Sequence, residues 1–426
     1  MLDIRYIKDN THLIKTNLKN RFQENKIPIV EGLINNHNKF IRQKKLLDQL
    51  RHQRNLISNE INKLKKQNKD ASKLKELAKF IPEKIKNLEE EIAILSKNIA
   101  DAQLKIPNII LKKVPIGKDA SENKVINKAG KIPKFNFEPK PHVELIEKLN
   151  IGDFEASANI SGHGFYFLKD RLALLNQALI KFATDHMQKK KYVYIEPPLM
   201  LKNAIISAAA DLETLKNSIY NVESYGLGLI GTSEYSLLAM HANETINEQD
   251  LPKKYFSYTM CFRKEIGSHG INEKGLWRTH QFNKVEQFIF CRPEDSEKYY
   301  DELLKNTEEI FQKLKLPYRV VEMCSGDLAN WKARSCDIEV YRPTTKDYGE
   351  VASLSNCTSY QARKLNIKVL RKNNEREVLH TLNNTVIATS RAMVTILENY
   401  QQKDGSIKIP IVLKKYTGFK KIEKEK

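Results

Sequence analysis

The stretch that decides the fold is Cys261–Phe290, CFRKEIGSHGINEKGLWRTHQFNKVEQFIF. Both of its ends read as strands. The approach, Tyr255 to Phe262, is rich in aromatic residues, and the exit alternates Phe282, Lys284, Glu286, Phe288 and Phe290 on one face. Between them Gly267, Gly270, Asn272 and Gly275 supply loop chemistry. The expectation is a hairpin with a long loop that turns Arg263, Glu265, Arg278, Phe282 and Glu286 toward one concave surface. Two arginines can hold a polyphosphate, a flat ring can stack on a base, and a carboxylate can accept from an amine or an ammonium. Such parts suit a site that activates a carboxylic acid with ATP.

Working outward, the 426 residues exceed one domain of ordinary size, so two are expected. A hydrophobic share of 41% is enough for a core. The five cysteines, Cys261, Cys291, Cys324, Cys336 and Cys357, form no CxxC pair. That pattern argues against a disulfide framework and against a zinc site, and it suits a reduced, cytoplasmic protein. The start, MLDIRYIKDN, has no apolar signal core, and no run reaches membrane-spanning length. The net charge of +20 suits an anionic partner, although a genome biased toward Lys and Asn would give the same value.

Residues 1–105 read as a helical domain with a long arm. Leu74, Leu77, Ile81, Ile85, Leu88, Ile92, Leu95, Ile99 and Ala102 trace a coiled-coil seam, and Leu33, Phe40, Leu47, Leu50, Ile57, Ile61 and Leu64 trace a looser one before it. The polar break Lys65–Lys73 reverses the chain into an antiparallel pair. Pro82 marks either a kink or a late start of the second helix. Residues 31–105 hold seventeen Lys and Arg against ten Asp and Glu. A solvated helix surface explains that count as readily as a rod that tracks an RNA backbone. Residues 106–140, with Pro107, Pro115, Pro133 and Pro139, read as a linker with some strand, 141–419 as an α+β domain on an antiparallel sheet, and 420–426 as a charged tail.

Three further stretches carry chemistry. Gly231-Thr232-Ser233-Glu234 is a polar turn after an apolar strand. Tyr348–Arg363, YGEVASLSNCTSYQAR, sets Glu350 and Ser353 three apart, oxygen donors that suit magnesium shared with phosphates. Thr381–Arg391, TLNNTVIATSR, runs from a strand into a helix.

The full spacing of Cys261–Phe290 resembles motif 2 of class II aminoacyl-tRNA synthetases, most closely the seryl-tRNA synthetases. Leu172–Lys190 followed by Tyr192–Ile195 and Pro197-Pro198 resembles motif 1, which builds a dimer interface. Gly231–Glu234 resembles the family's serine loop, and Thr381–Arg391 resembles motif 3. The resemblance covers nearly the whole chain and is strongest over residues 231–400. It implies a class II catalytic domain with a tRNA-binding coiled-coil arm, serine, ATP and Mg²⁺ as substrates and cofactor, and tRNA(Ser), and tRNA(Sec) where present, as acceptor.

The resemblance also implies residue roles. Arg263 bridges the α-phosphate and the serine carboxylate, and Glu265 accepts from the adenine amine. Arg278 and Arg391 hold the γ-phosphate end. Phe282 stacks on adenine, with Arg391 covering its other side. Lys264, Thr279, Val351 and Ala352 complete the ATP-binding set. Glu286, with Thr232, Ser233 and Glu234, takes the substrate ammonium and hydroxyl, and Asn383 and Thr385 close around its side chain. Glu350 and Ser353 hold magnesium.

Two departures stand out. Asn383-Asn384-Thr385-Val386 lacks the glycines frequent in bacterial members, and Ser390 replaces another. Asn384 is therefore a candidate for a left-handed backbone. These forms look nearer to archaeal and eukaryotic cytosolic members. Two rivals stay open at this point: a paralogue that passes the amino acid to a carrier, and a non-catalytic RNA-binding derivative.

Overall fold

The computed structural model describes residues 1–209, 218–265 and 274–424. Gly267, Gly270 and Asn272 of the long loop lie outside them. The chain divides into two compact units, Met1–Pro107 and Asn108–Lys426.

The first unit is helical: α1 (Ile4–Asp9), α2 (Thr11–Asn20), α3 (Ile27–Lys66) and α4 (Ser72–Lys105). The Asp3 carboxylate caps α1 by accepting from the Arg5 N–H at 2.8 Å. Helices α3 and α4 form the expected antiparallel arm. At 40 residues, α3 extends about 60 Å at the α-helical rise. Leu47, Ile81 and Ile85 are buried along the seam, flanked by Leu50, Ile57, Leu88 and Ile92. Arg51–Glu89 and Lys39–Glu91 bridge the arm's two helices at 2.8 Å and 2.5 Å. Such exposed pairs contribute only about 0–1 kcal/mol each, so the apolar seam holds the arm.

Helix α4 runs through Pro82 from Ser72, so the late start is ruled out. Leu77 is not part of the seam; it is 59% exposed. Two successive steps of four, from 77 to 81 to 85, carry Leu77 about 80° around the helix from Ile85.

The second unit is built on an eight-stranded sheet. Its strands are β1 (Lys124–Ala129), β2 (Val193–Tyr194), β3 (Lys253–Phe262), β4 (Gln281–Cys291), β5 (Tyr318–Glu322), β6 (Arg334–Arg342), β7 (Asp347–Thr358) and β8 (His380–Ala388). They lie in the order β1-β5-β6-β7-β8-β4-β3-β2. Every neighbouring pair is antiparallel except β2 with β3. This is the α+β class that the sequence suggested.

One face of the sheet is covered by α5 (Asp170–Lys189), α6 (Ser296–Lys313) and α7 (Thr389–Tyr400). Leu175, Leu179, Leu303, Ile310, Met393 and Ile396 pack there against Val285, Ile289, Ile338, Leu354 and Val386. Each such side chain contributes roughly 1.5–3 kcal/mol on burial. The period of two then turns Phe282, Lys284 and Glu286 of β4 to the opposite face. Phe288 and Phe290 continue that row into a second apolar cluster with Leu237, Leu238 and Leu379.

Residues 108–140 are not a free linker. Strand β1 forms the outer edge of the sheet on β5, and the Asn108 amide donates to Cys357 O at 2.8 Å. Nor is the end from 420 a free tail: Lys421–Ile422 pairs with Ile407–Lys408, and Ile422 is fully buried.

Candidate active site

The exposed face of β4, β7 and β8, closed by the turn at residues 231–234 and by the loop before β6, leaves a cavity of about 420 Å³. That lies within the roughly 300–1,000 Å³ range of ligand sites. A shallower hollow along α3, from Ile41 to His52, is lined by one helix face and gathers no converging groups.

The sheet register assembles the walls. Arg263 leaves the end of β3, its N–H bonded to His280 O at 2.9 Å, while the Phe262 N–H donates to Ile230 O at 2.9 Å. That second bond brings the turn carrying Thr232 alongside Arg263. The Arg263 guanidinium donates to Gly231 O at 3.2 Å and lies 5.3 Å over one face of the Phe282 ring. Glu286 and Thr385 are paired across β4 and β8, and the Thr385 hydroxyl donates to the Glu286 carboxylate at 3.1 Å. Asn383, 4% exposed, lines the same end, and its amide nitrogen has no partner among the described residues.

Glu234 is held by the Gln361 amide at 2.6 Å. Burial, and then the charge of Glu286, push its carboxyl above the ordinary glutamate range. At the other end Arg278 and Glu265 form an ion pair at 2.9 Å. A guanidinium has five donors, so this pair leaves Arg278 with N–H groups for a ligand. Arg391 donates to Glu350 O at 2.8 Å and lies 3.2 Å from its carboxylate. Burial alone would raise Glu350, but Arg391, helped by Arg263 and Lys332, holds it below the ordinary range. Burial and the Glu350 charge push neighbouring Asp337 the other way.

Thus Thr232, Glu234, Arg263, Glu265, Arg278, Thr279, Phe282, Glu286, Glu350, Val351, Ala352, Ser353, Asn383, Thr385 and Arg391 all line one cavity. Two expected residues do not. Ser233 is fully buried at the N-cap of the short helix Glu234–Ala239 and is not part of the cavity lining. Lys264 bonds through its N–H to Ser218 O and lays its ammonium 5.9 Å over the Tyr220 ring, because alternation along the strand end turns it opposite to Arg263. Asn384 does not take the left-handed backbone expected of it: it is an ordinary strand residue of β8, without positive φ. Its amide donates to Leu303 O and Thr307 Oγ1 of α6, both at 2.9 Å. A glycine there would lose that tie.

Sequence reasoning gave no role to Lys284, Trp277, Trp331 or Lys332, which also line the cavity. Lys284 was legible, since it lies between Phe282 and Glu286 on the alternating face. Trp331 and Lys332 come from an irregular loop with no periodic signal.

Glu350 and Ser353 supply one carboxylate and one hydroxyl. Among the described residues no three His, Cys, Asp or Glu side chains gather as a ligand set. The pair therefore fits an ion that keeps waters and takes its remaining oxygens from phosphates, as magnesium does.

Comparison with known proteins shows the family. The family described as tRNA synthetase class II core domain (G, H, P, S and T) matches residues 220–400. The seryl-tRNA synthetase N-terminal domain matches residues 1–110. A serine–tRNA ligase of Methanospirillum hungatei is 44% identical over 99% of both chains. The chain belongs to the seryl-tRNA synthetase family. Within that family, the seryl-tRNA synthetase of Pyrococcus horikoshii solved with ATP superposes with a TM-score of 0.93 at 39% identity, covering 100% of each chain. The cytoplasmic enzyme of Naegleria fowleri solved with AMP gives 0.88 at 31% identity, over 100% of this chain and 99% of that one.

Proposed function

We propose that the cavity on β4, β7 and β8 activates serine with ATP and then passes it to tRNA(Ser), and to tRNA(Sec) where a cell has it. Serine–tRNA ligation is the activity of the family. The observation that carries the residue assignment is the convergence of Arg263, Arg278 and Arg391 with Glu234, Glu286 and Glu350 in one 420 Å³ space.

The serine carboxylate attacks the α-phosphorus of ATP. The bond to the β-phosphate oxygen breaks, pyrophosphate leaves, and the acyl phosphate bond of seryl adenylate forms. No side chain has to act as base, since the carboxylate is already ionised. Arg263 lies between the two ends of the cavity, where it holds the reacting carboxylate against the phosphate and stabilises charge at phosphorus. The free face of Phe282 receives adenine, and Glu265 accepts from its amine. Arg278 and Arg391 hold the terminal phosphates. Glu350 and Ser353 would hold Mg²⁺, which when bound would neutralise phosphate charge. Glu286 and Glu234 receive the substrate ammonium, and Thr232, Thr385 and Asn383 surround the hydroxyl. A terminal ribose hydroxyl of the tRNA then takes the seryl group and releases AMP.

A pocket that bonds the hydroxyl rejects alanine by roughly 10⁴–10⁵, because its polar groups would be left unpaired. Threonine is refused by volume alone, a weaker filter of roughly 1–3 kcal/mol.

The basic arm α3–α4 grips the tRNA by its backbone. The motif 1 elements α5 and β2 form a homodimer interface, and the large apolar side chains Leu174 and Val193 exposed on them, at 50% and 55%, support that surface. The five cysteines are free, which suits the reducing cytoplasm. No described helix is long and apolar enough to cross a membrane.

The deciding experiment is ATP–pyrophosphate exchange with Mg²⁺ across serine, threonine, alanine, glycine and cysteine, followed by tRNA charging. Exchange with serine alone supports the assignment. Equal exchange with alanine would sink the hydroxyl pocket.

A further inference from the structure

The indole of Trp277 sits at the meeting point of a buried charge cluster and the phosphate end of the cavity. Behind it, Glu398 is fully buried and takes two bonds from Arg342, Nε to Oε2 at 3.0 Å and Nη2 to Oε1 at 2.7 Å. The Thr344 hydroxyl donates to the same carboxylate at 2.9 Å. Nδ1 of His142 lies 3.1 Å from Oε1, and its Nε2 accepts the N–H of Leu276 at 3.1 Å. Because Nε2 accepts, the neutral ring carries its proton on Nδ1 and donates it to Glu398. The backbone just before Trp277 is thus tied, through one imidazole, to a buried carboxylate. Gly275, at φ +147°, is part of this fit, since a Cβ there would fall 2.6 Å from His142 Nε2.

In front, Trp277 meets Arg391 twice. The Arg391 Nε donates to Trp277 O at 3.3 Å, and its guanidinium lies 5.5 Å from the ring centroid. The Arg342 guanidinium lies 4.5 Å from the same ring. The indole fits against bare backbone, where a Cβ on Gly349 would come 2.7 Å from its Cη2 atom. Gly349 directly precedes Glu350, the carboxylate paired with Arg391. Glu398 and Arg391 are seven residues apart on α7, so two helical turns join the buried cluster to the arginine in the cavity.

We propose that Trp277, seated by Gly349 and by the His142–Glu398–Arg342 cluster, is a positioning residue that fixes Arg391 and Glu350 for the nucleotide phosphates. This rests on the reading of the cavity as an ATP site given above. Arg391 alone has a long, rotatable side chain; the indole removes that freedom before the nucleotide arrives. A displacement of about 1 Å in such a group costs as much as 10²-fold. The effect is confined to the phosphate end, because among the described residues the hydrogen bonds and ion pairs of Thr232, Glu234 and Glu286 reach no member of the cluster.

The test uses pyrophosphate exchange by the full chain, with KM for ATP and for serine measured separately and melting temperature alongside. Trp277→Leu and Gly349→Ala should each raise KM for ATP roughly tenfold or more and leave KM for serine within about twofold. Trp277→Phe, which keeps a ring over the arginines, should recover most of the loss. If Trp277→Leu lowers the melting temperature, the contrast of Trp277→Phe with Gly349→Ala decides. Unchanged ATP affinity in a folded Gly349→Ala chain, or equal loss for ATP and serine, overturns the proposal. Arg391→Ala is the control. If it weakens ATP while the Trp277 and Gly349 variants do not, the seat is wrong and the cavity reading stands; if it leaves ATP untouched, that reading falls and the proposal with it.

Discussion

The ammonium of Lys284 lies 2.9 Å from the carboxylate of Glu286 on the same face of β4, and the two side chains are 7% and 2% exposed. Lys284 also donates to the Thr232 hydroxyl at 2.6 Å. One buried cation therefore orients two groups assigned to serine. Lys284→Met would leave the Glu286 carboxylate buried without its cation, a loss of roughly 3–5 kcal/mol for a fully dry pair and toward the lower end here, where the cavity admits water. Urea denaturation should show that loss, and KM for serine should rise more than KM for ATP. Wild-type stability with an unchanged serine KM would show the pair to be idle.

Arg263 lies between the ends of the cavity proposed for serine and for phosphate. Arg263→Ala should lower the rate of pyrophosphate exchange by at least 10²–10³-fold, about the loss expected for one electrostatic contact to developing charge. Near-normal exchange would remove Arg263 from the chemistry.

Deleting residues 36–100 removes most of α3 and α4 and none of the second unit. Serine activation should persist within about twofold, while charging of tRNA(Ser) should fall steeply, and the salt dependence of tRNA binding should flatten as Lys and Arg contacts are lost. Charging at the wild-type rate would mean that the arm does not hold the tRNA.

His186 is pushed down to about 4 by burial and by Lys313, and its Nε2 donates to Asn306 O at 3.1 Å. Burial likewise pushes His380 down to about 4. From the ordinary histidine value of 6.5 down to about 4, the unfolded chain binds protons that the folded chain refuses. Stability should therefore fall as pH falls through that window and change little from these groups above it. Urea midpoints between about pH 7 and pH 4.5 should show the slope, and His186→Gln should make it shallower. An identical slope in the variant would place the proton uptake elsewhere.

The hairpin was legible because a period of two in Phe282–Phe290 and a glycine-bearing loop are local properties of the chain. The arm was legible for the same reason, since its seam recurs every three to four residues. The motifs of the active site could be read from residue type and spacing, and fifteen of the seventeen expected residues converge on one cavity. Ser233 and Lys264 lie outside the cavity lining because a motif names consecutive residues, whereas a strand or a cap turns neighbours in different directions. The conformation of Asn384 was misjudged because its contacts come from α6, about eighty residues earlier.

Local pattern was enough for the elements, the fold class and the identity of the charged groups that line the cavity. How those groups are held depends on contacts between distant segments. The pairing of β4 with β8 sets Thr385 against Glu286, and the packing of α7 joins Glu398 to Arg342 and His142. The slot beside Gly349 seats Trp277 under Arg391. These relations connect residues up to 256 positions apart. No local pattern specifies such contacts, because they form only when the sheet register and the helix packing bring distant segments within bonding distance.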